Sequence, residues 1–338
     1  MRTVLYLIGF LLASLTSPLY ANATLSDQPG AWAEPDREMM VPVEGGNVWV
    51  GVFGTITADT VPVIFVLGGP GGHHVDFGAI TALSDERPVI FYDQLGGGLS
   101  DRSVTTELWR VDRFVDELET IRQHLQIRKW HIVPHSWGSA LAIEYAAKHP
   151  EQTASAMLAG PFLATSHWIA GTNLLIEEMP EPVRSTLLAC ISEAPPSEDI
   201  CAEATSAFYA VYNGRPDSPE SSQASLSYQK RFGGQGWNWD LLNIMWGSSD
   251  FSATGSLIGY DATPLLDRLQ GVPLSFVVGQ YDEAHYRTVR DYVRPSRVSE
   301  FGVIPDASHA MFRERPDVVG SLIRNWLQRV DNIELAQR

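Results

Sequence analysis

The chain has 338 residues, of which 44% are hydrophobic and 19% are charged, a composition that excludes disordered, fibrous and membrane-bundle proteins. Its 24 Lys and Arg residues against 40 Asp and Glu residues give a formal net charge of −16. Because such an acidic surface repels phosphate backbones and anionic lipids, nucleic acid is not expected as a partner. The length fits about two domains of ~150 residues, although one α/β domain often exceeds ~200.

The N-terminal segment has the features of a secretory signal peptide. Arg2 precedes an apolar run from Val4 to Ala13, and the small residues Ala21 and Ala23 frame a cleavage site. The apolar run is shorter than the ~20 residues that a transmembrane helix needs. The sequence therefore predicts a signal peptide over residues 1–23 and an exported mature protein, periplasmic or secreted, without stable membrane insertion. The alternative is a buried N-terminal helix.

The predicted elements alternate between strands and helices, as in a mostly parallel sheet flanked by helices. After an irregular lead-in come strands at Val61–Val66 and Val89–Tyr92, a helix at Arg113–Leu125, a strand at Trp130–Val133, a helix at Ala140–Lys148 and a strand at Ala156–Ala159. From about Thr165 to Phe251 the pattern is helical, with polar loops and many aromatic residues. Strands then return at Leu274–Val278 and Val298–Ile304, before a final helix at Val318–Val330.

This pattern predicts an α/β core in two parts, residues 24–164 and 259–338, interrupted by a largely helical cap over residues 165–258. Most aromatic residues of the cap are expected in its own core, and a few are expected to line an apolar pocket. On the first predicted helix, Arg113 and Arg122 are expected to lie on the solvated face.

Cys190 and Cys201 are the two cysteines of the chain. In an oxidising compartment a close and even pair favours a disulfide, so we expect these two residues to be bonded. Two unrelated buried thiols are the alternative. Because no histidine lies near either cysteine, the pair does not predict a zinc site.

The strongest chemical signal is a serine between a predicted strand and a predicted helix. Ser136 lies in the segment Pro134–Gly138, whose context is typical of a nucleophile elbow. A serine hydroxyl needs a base, and the base needs a third group that orients it. Asp282 follows a predicted strand and His309 precedes the last helix. The order Ser136, Asp282, His309 is that of α/β-hydrolases and predicts a catalytic triad.

A glycine-rich segment, Gly68–Gly72, directly follows the first buried strand. This position predicts an oxyanion hole, with the backbone N–H groups of Gly69 and Trp137 as donors. The segment matches neither a dinucleotide-binding motif nor a P-loop. His73 and His74 follow it, but adjacent histidines without a nearby carboxylate cluster are more often loop residues than ligands, so no metal is expected.

Six motifs in chain order resemble the proline iminopeptidase family, serine aminopeptidases with the α/β-hydrolase fold. They are Gly68–Gly72, Tyr92–Asp101, His135–Ser139, Trp246–Gly255, Gly279–Glu283 and Ser308–Phe312. Together they span roughly residues 60 to 330. The resemblance implies an α/β-hydrolase fold, an inserted cap and a reaction that needs no cofactor.

The resemblance also implies two acids that bind the α-ammonium of the substrate, Asp250 at the cap edge and Glu283 beside the triad aspartate. Two carboxylates facing a desolvated ammonium make charge-assisted hydrogen bonds and fix the distance from the amine to the scissile carbonyl. Alternatively, each acid is a solvated surface residue or a helix cap. The chain departs from the family pattern at Leu67, where histidine is usual, and at Pro134, where glycine is usual.

The sequence therefore predicts an exported serine hydrolase that acts through an acyl-enzyme on Ser136. Its expected reaction releases an N-terminal amino acid, with proline as one candidate, from short peptides or amino-acid amides. An esterase or lactonase with the same triad is the alternative, because the site rather than the fold sets function. A hydrolase-fold binding protein without turnover is a third hypothesis.

Overall fold

The structure is a computed structural model that describes residues 34–102, 105–215, 236–249, 251–294 and 299–336. A central sheet runs through these residues. Its strands are β1 (Arg37–Val43), β2 (Gly46–Phe53), β3 (Val63–Val66), β4 (Val89–Tyr92), β5 (Trp130–Pro134), β6 (Thr153–Ala159), β7 (Leu274–Tyr281) and β8 (Ser299–Ser308). Their order across the sheet is β1-β2-β4-β3-β5-β6-β7-β8. The pairs β1–β2 and β2–β4 are antiparallel, and all other pairs are parallel.

Helices cover both faces of the sheet and fill the connection between β6 and β7. The α-helices of the described chain are α1 (Val111–His124), α2 (Gly138–Lys148), α3 (Thr165–Glu178), α4 (Val183–Cys190), α5 (Glu198–Tyr212), α6 (Trp239–Met245), α7 (Tyr286–Arg290), α8 (Met311–Glu314) and α9 (Pro316–Leu335). A 3-10 segment at His74–Asp85 follows β3. Helices α3 to α6 fall within residues 165–258, which we call the cap segment.

The core is divided between the two faces of the sheet. In β3, Val63 and Phe65 pack in one apolar cluster with Trp326 of α9, whereas Ile64 and Val66 pack in a second cluster with α1 and α2. Successive side chains of a strand point to opposite faces. Because both faces are covered, a continuous apolar run rather than an alternating one forms the strand, as the sequence predicted.

The lead-in before β3 is regular, so the expectation of an irregular segment was wrong. β1 and β2 form an antiparallel pair around a turn in which Gly45 has a φ of 89°, a left-handed conformation that favours glycine. All residues from Val48 to Phe53 are buried. Because Val50 and Val52 pack in the cluster on one face and Trp49 and Phe53 in the cluster on the other, the pattern of β2 does not alternate, and the strand was missed.

Arg113 is buried, so the expectation that it lies on the solvated face of α1 was wrong. Its guanidinium pairs with Glu117 one helical turn later and donates to the Glu44 carbonyl at 2.8 Å. Burial raises the pKa of Glu117 to about 7, even though Arg113 acts in the opposite direction. Arg122 is partly buried and pairs with Glu119 at 2.6 Å. Helical spacing alone does not distinguish a solvent-exposed arginine from one such as Arg113, which is buried against the turn between β1 and β2.

The structure joins Cys190 of α4 to Cys201 of α5 through a disulfide. The predicted signal peptide, residues 1–23, lies outside the described residues. Within the described ranges, none of the helices combines the length and the apolarity needed to cross a bilayer.

Candidate active site

Ser136 lies in a sharp turn between β5 and α2. Its φ of 54° is in the left-handed region, which costs free energy for a residue other than glycine and recurs at functional sites. The Ser136 N–H donates to the Ala159 carbonyl at 3.0 Å. A Cβ on Gly138 would lie 2.3 Å from the Val66 carbonyl oxygen, so the turn packs too closely for any other residue there. This is the geometry of a nucleophile elbow.

Pro134, which replaces the usual glycine of the elbow, is accommodated as the last residue of β5. It is buried and lies opposite Val66 in the parallel register with β3. The next residue, His135, donates its backbone N–H to the Val66 carbonyl at 2.9 Å. The ladder to β3 therefore continues past the proline although proline has no N–H.

Asp282 and His309 meet because they directly follow the neighbouring parallel strands β7 and β8. The Nδ1–H of His309 donates to Oδ1 of Asp282 at 2.7 Å, and both side chains are buried. The backbone N–H of Ala284 donates to the same carboxylate at 2.8 Å, and that of Gly279 donates to its Oδ2 at 3.0 Å. The carboxylate is thus held in the orientation that fixes the imidazole.

Burial and three neighbouring carboxylates determine the pKa of His309. Burial alone would lower its pKa, but the carboxylates of Asp282 and Glu283 outweigh burial and raise the pKa to about 9. Asp76, in the 3-10 segment, acts in the same direction. The imidazolium of His309 is therefore strongly favoured in the substrate-free protein.

His135 holds the backbone of His309 in place, a role that was not predicted from the sequence. Its Nε2–H donates to the His309 carbonyl at 2.9 Å, and the two rings lie 4.5 Å apart. Burial and the charge on His309 lower the pKa of His135 to about 4. The His135 ring is therefore neutral at neutral pH, and it holds the backbone of His309 rather than accepting a proton.

The two predicted oxyanion donors flank the elbow. Gly69 has a φ of 115°, and a Cβ there would lie 2.7 Å from the Gly71 nitrogen, so only glycine fits. Within the described residues, neither the Gly69 N–H nor the backbone N–H of Trp137 has an acceptor in the protein. Both residues line one cavity with Ser136. Two unengaged donors beside the nucleophile are what an oxyanion hole requires.

Gln94 links the two loops that carry these donors, a role that was not predicted from the sequence. Its buried side chain donates from Nε2 to the Leu67 carbonyl at 3.3 Å and accepts from Nε1 of Trp137 at 3.3 Å. The amide therefore ties the glycine-rich segment to the start of α2 in the absence of the usual histidine at Leu67.

The cavity above Ser136 has a volume of about 560 Å³, within the usual ~300–1,000 Å³ range of small-molecule sites. The glycine-rich segment, Ser136, Glu283 and His309 line its core side. Aromatic residues of the cap segment line the other side, namely Trp168, Tyr209, Trp237, Trp239 and Trp246. Phe208 and Tyr212 belong instead to an apolar cluster within the cap segment. The expectation that aromatic residues of the cap segment line a pocket therefore holds, but more of the described ones line the cavity than the few that were expected.

Glu283 is buried in this cavity, with 7% of its surface exposed. Its Oε1 accepts from Nδ2 of Asn213 at 2.6 Å and lies 3.6 Å from Nε2 of His309. Asn213 directly follows α5, and no sequence signal pointed to it. The other predicted amine-binding acid, Asp250, lies outside the described residues.

The end of α5 is hydrogen-bonded to the loops that carry these groups. The carbonyl of Tyr212 accepts from the backbone N–H of Glu283 at 3.1 Å and from that of His309 at 3.0 Å. Glu314 of α8 accepts from the Arg215 N–H at 2.5 Å and from the Ser308 hydroxyl at 2.6 Å. The cap segment therefore helps to hold His309 and Glu283 in place.

His73 and His74 do not form a metal site. His74 pairs with Asp93 through Nδ1 at 2.9 Å and stacks on Trp49, with ring centroids 4.0 Å apart. His73 lines the cavity, and burial lowers its pKa. Among the described residues, no group of three or more His, Cys, Asp or Glu side chains could hold a metal ion.

Comparisons with known proteins identify the family of the chain. A model of the α/β hydrolase fold matches residues 61–191. The proline iminopeptidase of Heyndrickxia coagulans is 33% identical over 87% of this chain and 99% of its own length, and that of Levilactobacillus brevis is 25% identical over 88% and 98%.

A solved structure supports the fold independently. The proline iminopeptidase of Mycobacterium smegmatis superimposes with a TM-score of 0.76 at 24% identity, over 88% of this chain and all of that chain. The fold predicted from the sequence is thereby confirmed. From the extent of its similarity to the Heyndrickxia coagulans enzyme, the chain belongs to the proline iminopeptidase family, and it is an α/β-hydrolase enzyme.

Proposed function

We propose that the protein is a serine aminopeptidase that releases an N-terminal residue, proline first among them, from short peptides and amino-acid amides. The observation that carries the proposal is the arrangement of one cavity. The Ser136 elbow, the pair of His309 and Asp282 and the buried carboxylate of Glu283 all meet there. The family to which the chain belongs supports proline as the released residue.

The proposed reaction follows from the positions of these groups. Ser136 attacks the scissile carbonyl carbon while Nε2 of His309 takes its proton, and Asp282 holds the resulting imidazolium. The backbone N–H groups of Gly69 and Trp137 stabilise the oxyanion of the tetrahedral intermediate. Collapse of the intermediate expels the leaving amine with the proton from His309. Water then attacks the acyl-enzyme, again through His309, and frees Ser136.

Glu283 supplies the preference for a free N-terminus. An α-ammonium in the cavity would pair with its buried carboxylate through charge-assisted hydrogen bonds. This pairing would fix the distance from the ammonium to the carbonyl of the same residue, which Ser136 attacks. Asp250 is proposed as a second carboxylate for the same ammonium, as the family resemblance implies.

We also propose that the protein is exported after removal of residues 1–23 and that Cys190 and Cys201 are bonded in the mature form. The basic and apolar N-terminus supports the first part, and the joined cysteines support the second. N-terminal sequencing of exported protein should give Asn22 or Thr24 as the first residue. Alkylation without reductant should leave both cysteines unmodified, and two alkylated cysteines would refute the bond.

The substrate class is tested with a panel of free aminoacyl anilides, their N-acetyl analogues and simple esters. Removing the charge leaves a buried carboxylate facing an amide, so we expect the free prolyl anilide to exceed its N-acetyl analogue by at least ~10²-fold in kcat/KM. Equal rates on the free and blocked anilides would reject the aminopeptidase. Esters cleaved far faster than either would establish the esterase alternative.

A further inference from the structure

Glu283 lies beside the nitrogen of His309 that must take the proton of Ser136. Its Oε1 is 3.6 Å from Nε2, while Nδ1 of the same ring is bonded to Asp282 at 2.7 Å. The side chains of His309 and Glu283 are only 7% and 9% exposed. The imidazolium form is therefore held between two carboxylates in a site that excludes most of the solvent.

Among the titratable groups around His309, Glu283 is the one whose charge a bound substrate is placed to neutralise. Asp76 also lines the cavity, but its Oδ1 already lies 3.6 Å from Nε of the Arg313 guanidinium. His135 packs against the ring, but it is neutral near pH 7 and its Nε2–H is bonded to the His309 carbonyl. Glu283, by contrast, lines the cavity in the place proposed for the substrate ammonium.

We propose that the ammonium of the substrate switches on the general base: by pairing with Glu283, it withdraws that carboxylate from His309, so that the ring releases its proton when a free N-terminus binds. The inference rests on the proposed amine-binding role of Glu283. The released proton goes from Nε2 to solvent as the substrate cation enters, so charge in the cavity is conserved. The neutral Nε2 can then accept the proton of Ser136.

The size of the effect follows from the electrostatics of His309. With its pKa raised to about 9, only about one per cent of the ring is neutral at pH 7, and a general base acts in its neutral form. Neutralising a carboxylate within ~4 Å lowers such a pKa by roughly 1 to 2 units. Binding of a free amine would therefore raise the fraction of active base at pH 7 by ~10- to 50-fold. Substrates without an ammonium lose this activation as well as the contact itself.

The direct test measures the pKa of His309 by NMR, with isotope-labelled histidine in the Ser136→Ala variant, which cannot turn over. The ligand is prolinamide and the matched control is N-acetylprolinamide. We expect prolinamide to lower the pKa of His309 by at least ~1 unit, and the acetylated control to leave it unchanged. An unchanged pKa with saturating prolinamide would overturn the proposal.

A kinetic test uses 4-nitrophenyl acetate, an ester without an ammonium. We expect Glu283→Gln to hydrolyse this ester ~10-fold faster than the wild type at pH 7, with the kcat/KM profile displaced to lower pH, because more of His309 is neutral. The same variant should lose activity on the free prolyl anilide. Glu300→Gln, which removes an exposed carboxylate on β8 paired with Arg329, should change neither activity.

Two results separate this inference from the proposed function. If Glu283→Gln slows ester hydrolysis and leaves the pH profile in place, while the wild type still prefers free amines, the activation is wrong and the aminopeptidase stands. If the wild type shows no preference for free amines, the proposed function fails, and the activation that rests on it fails as well.

Discussion

The carboxyl edge of the sheet and the cap segment face the same cavity but are built on different principles. At the sheet edge, Ser136, Asp282 and His309 directly follow β5, β7 and β8, so the strands themselves fix where these side chains lie. Across the cavity, Trp168 of α3 and Asn213 after α5 are placed by helix packing. The comparison assigns bond making to the triad at the sheet edge, and substrate recognition to Glu283 at that edge together with the cap segment.

The two regions are not independent, since the Tyr212 carbonyl bonds to the backbone of both Glu283 and His309. Changes that remove or displace Ser136, Asp282 or His309 should reduce kcat for every substrate. Changes in the cap segment should act mainly on KM and on the discrimination between substrates.

The largest expected effect is that of Ser136→Ala. Without the nucleophile, kcat/KM should fall by at least ~10⁴-fold for anilides and esters alike, with the melting temperature unchanged, because alanine keeps the Cβ of the turn. The matched control is Ser139→Ala, since the hydroxyl of Ser139 is buried and has no hydrogen-bond partner among the described residues. Full activity in folded Ser136→Ala would show that Ser136 is not the nucleophile.

Gly160→Ala is a second substitution that should disturb the sheet edge. Gly160 has a φ of 51°, and a Cβ there would lie 2.8 Å from Nδ1 of His309 and 3.1 Å from Oδ2 of Asp282. Displacement of this pair should lower kcat by ~10²-fold on all substrates. Gly271→Ala, where a Cβ meets nothing within 4 Å, should leave kcat unchanged. Equal kinetics in the two variants would contradict the packing described for His309.

In the cap segment, Asn213→Ala removes the hydrogen bond that orients Glu283. We expect KM for the free prolyl anilide to rise ~5- to 10-fold with a smaller change in kcat, because one charge-assisted hydrogen bond is worth roughly 1.5 kcal/mol or more. The rate on 4-nitrophenyl acetate should change less. Asn332→Ala, on the exposed side of α9, is the control. A loss confined to kcat would place Asn213 with the chemical machinery instead.

The smallest effect on activity is expected at the disulfide between Cys190 and Cys201. The bond closes a short loop between α4 and α5, with a sequence separation of 11, and by loop entropy stabilises the folded protein by roughly 3 kcal/mol. The Cys190→Ser/Cys201→Ser variant should unfold at lower urea concentration and keep kcat/KM within ~3-fold. A large loss of activity in a variant that is still fully folded would show that the disulfide positions the cap segment over the cavity.

The sheet edge was predictable from sequence because its chemistry follows strand ends. The apolar runs before Ser136 and Asp282 and the position of His309 before the last helix were enough to order the triad. The roles of these residues and of Gly69 and Trp137 remain predictions that the variants above test. The amine-binding role of Asp250 also remains one, since Asp250 lies outside the described residues.

Other contributions left no pattern in the sequence. The Tyr212 carbonyl acts through its backbone, which any residue could supply. Asn213, His135 and Gln94 act through contacts between segments far apart in the chain. Their positions depend on tertiary packing, which neither periodicity nor spacing encodes. The same holds for Arg113, whose burial depends on the turn between β1 and β2 above α1.

The central claim is that a carboxylate at the sheet edge makes a free N-terminus the condition for rapid cleavage. It is tested most directly by the ratio of kcat/KM for the free and the N-acetyl prolyl anilide in the wild type and in Glu283→Gln. We expect a ratio of at least ~10² in the wild type that falls by roughly tenfold or more in the variant, because an amide cannot pair with the ammonium as a carboxylate does. The same ratio in both proteins would contradict the claim.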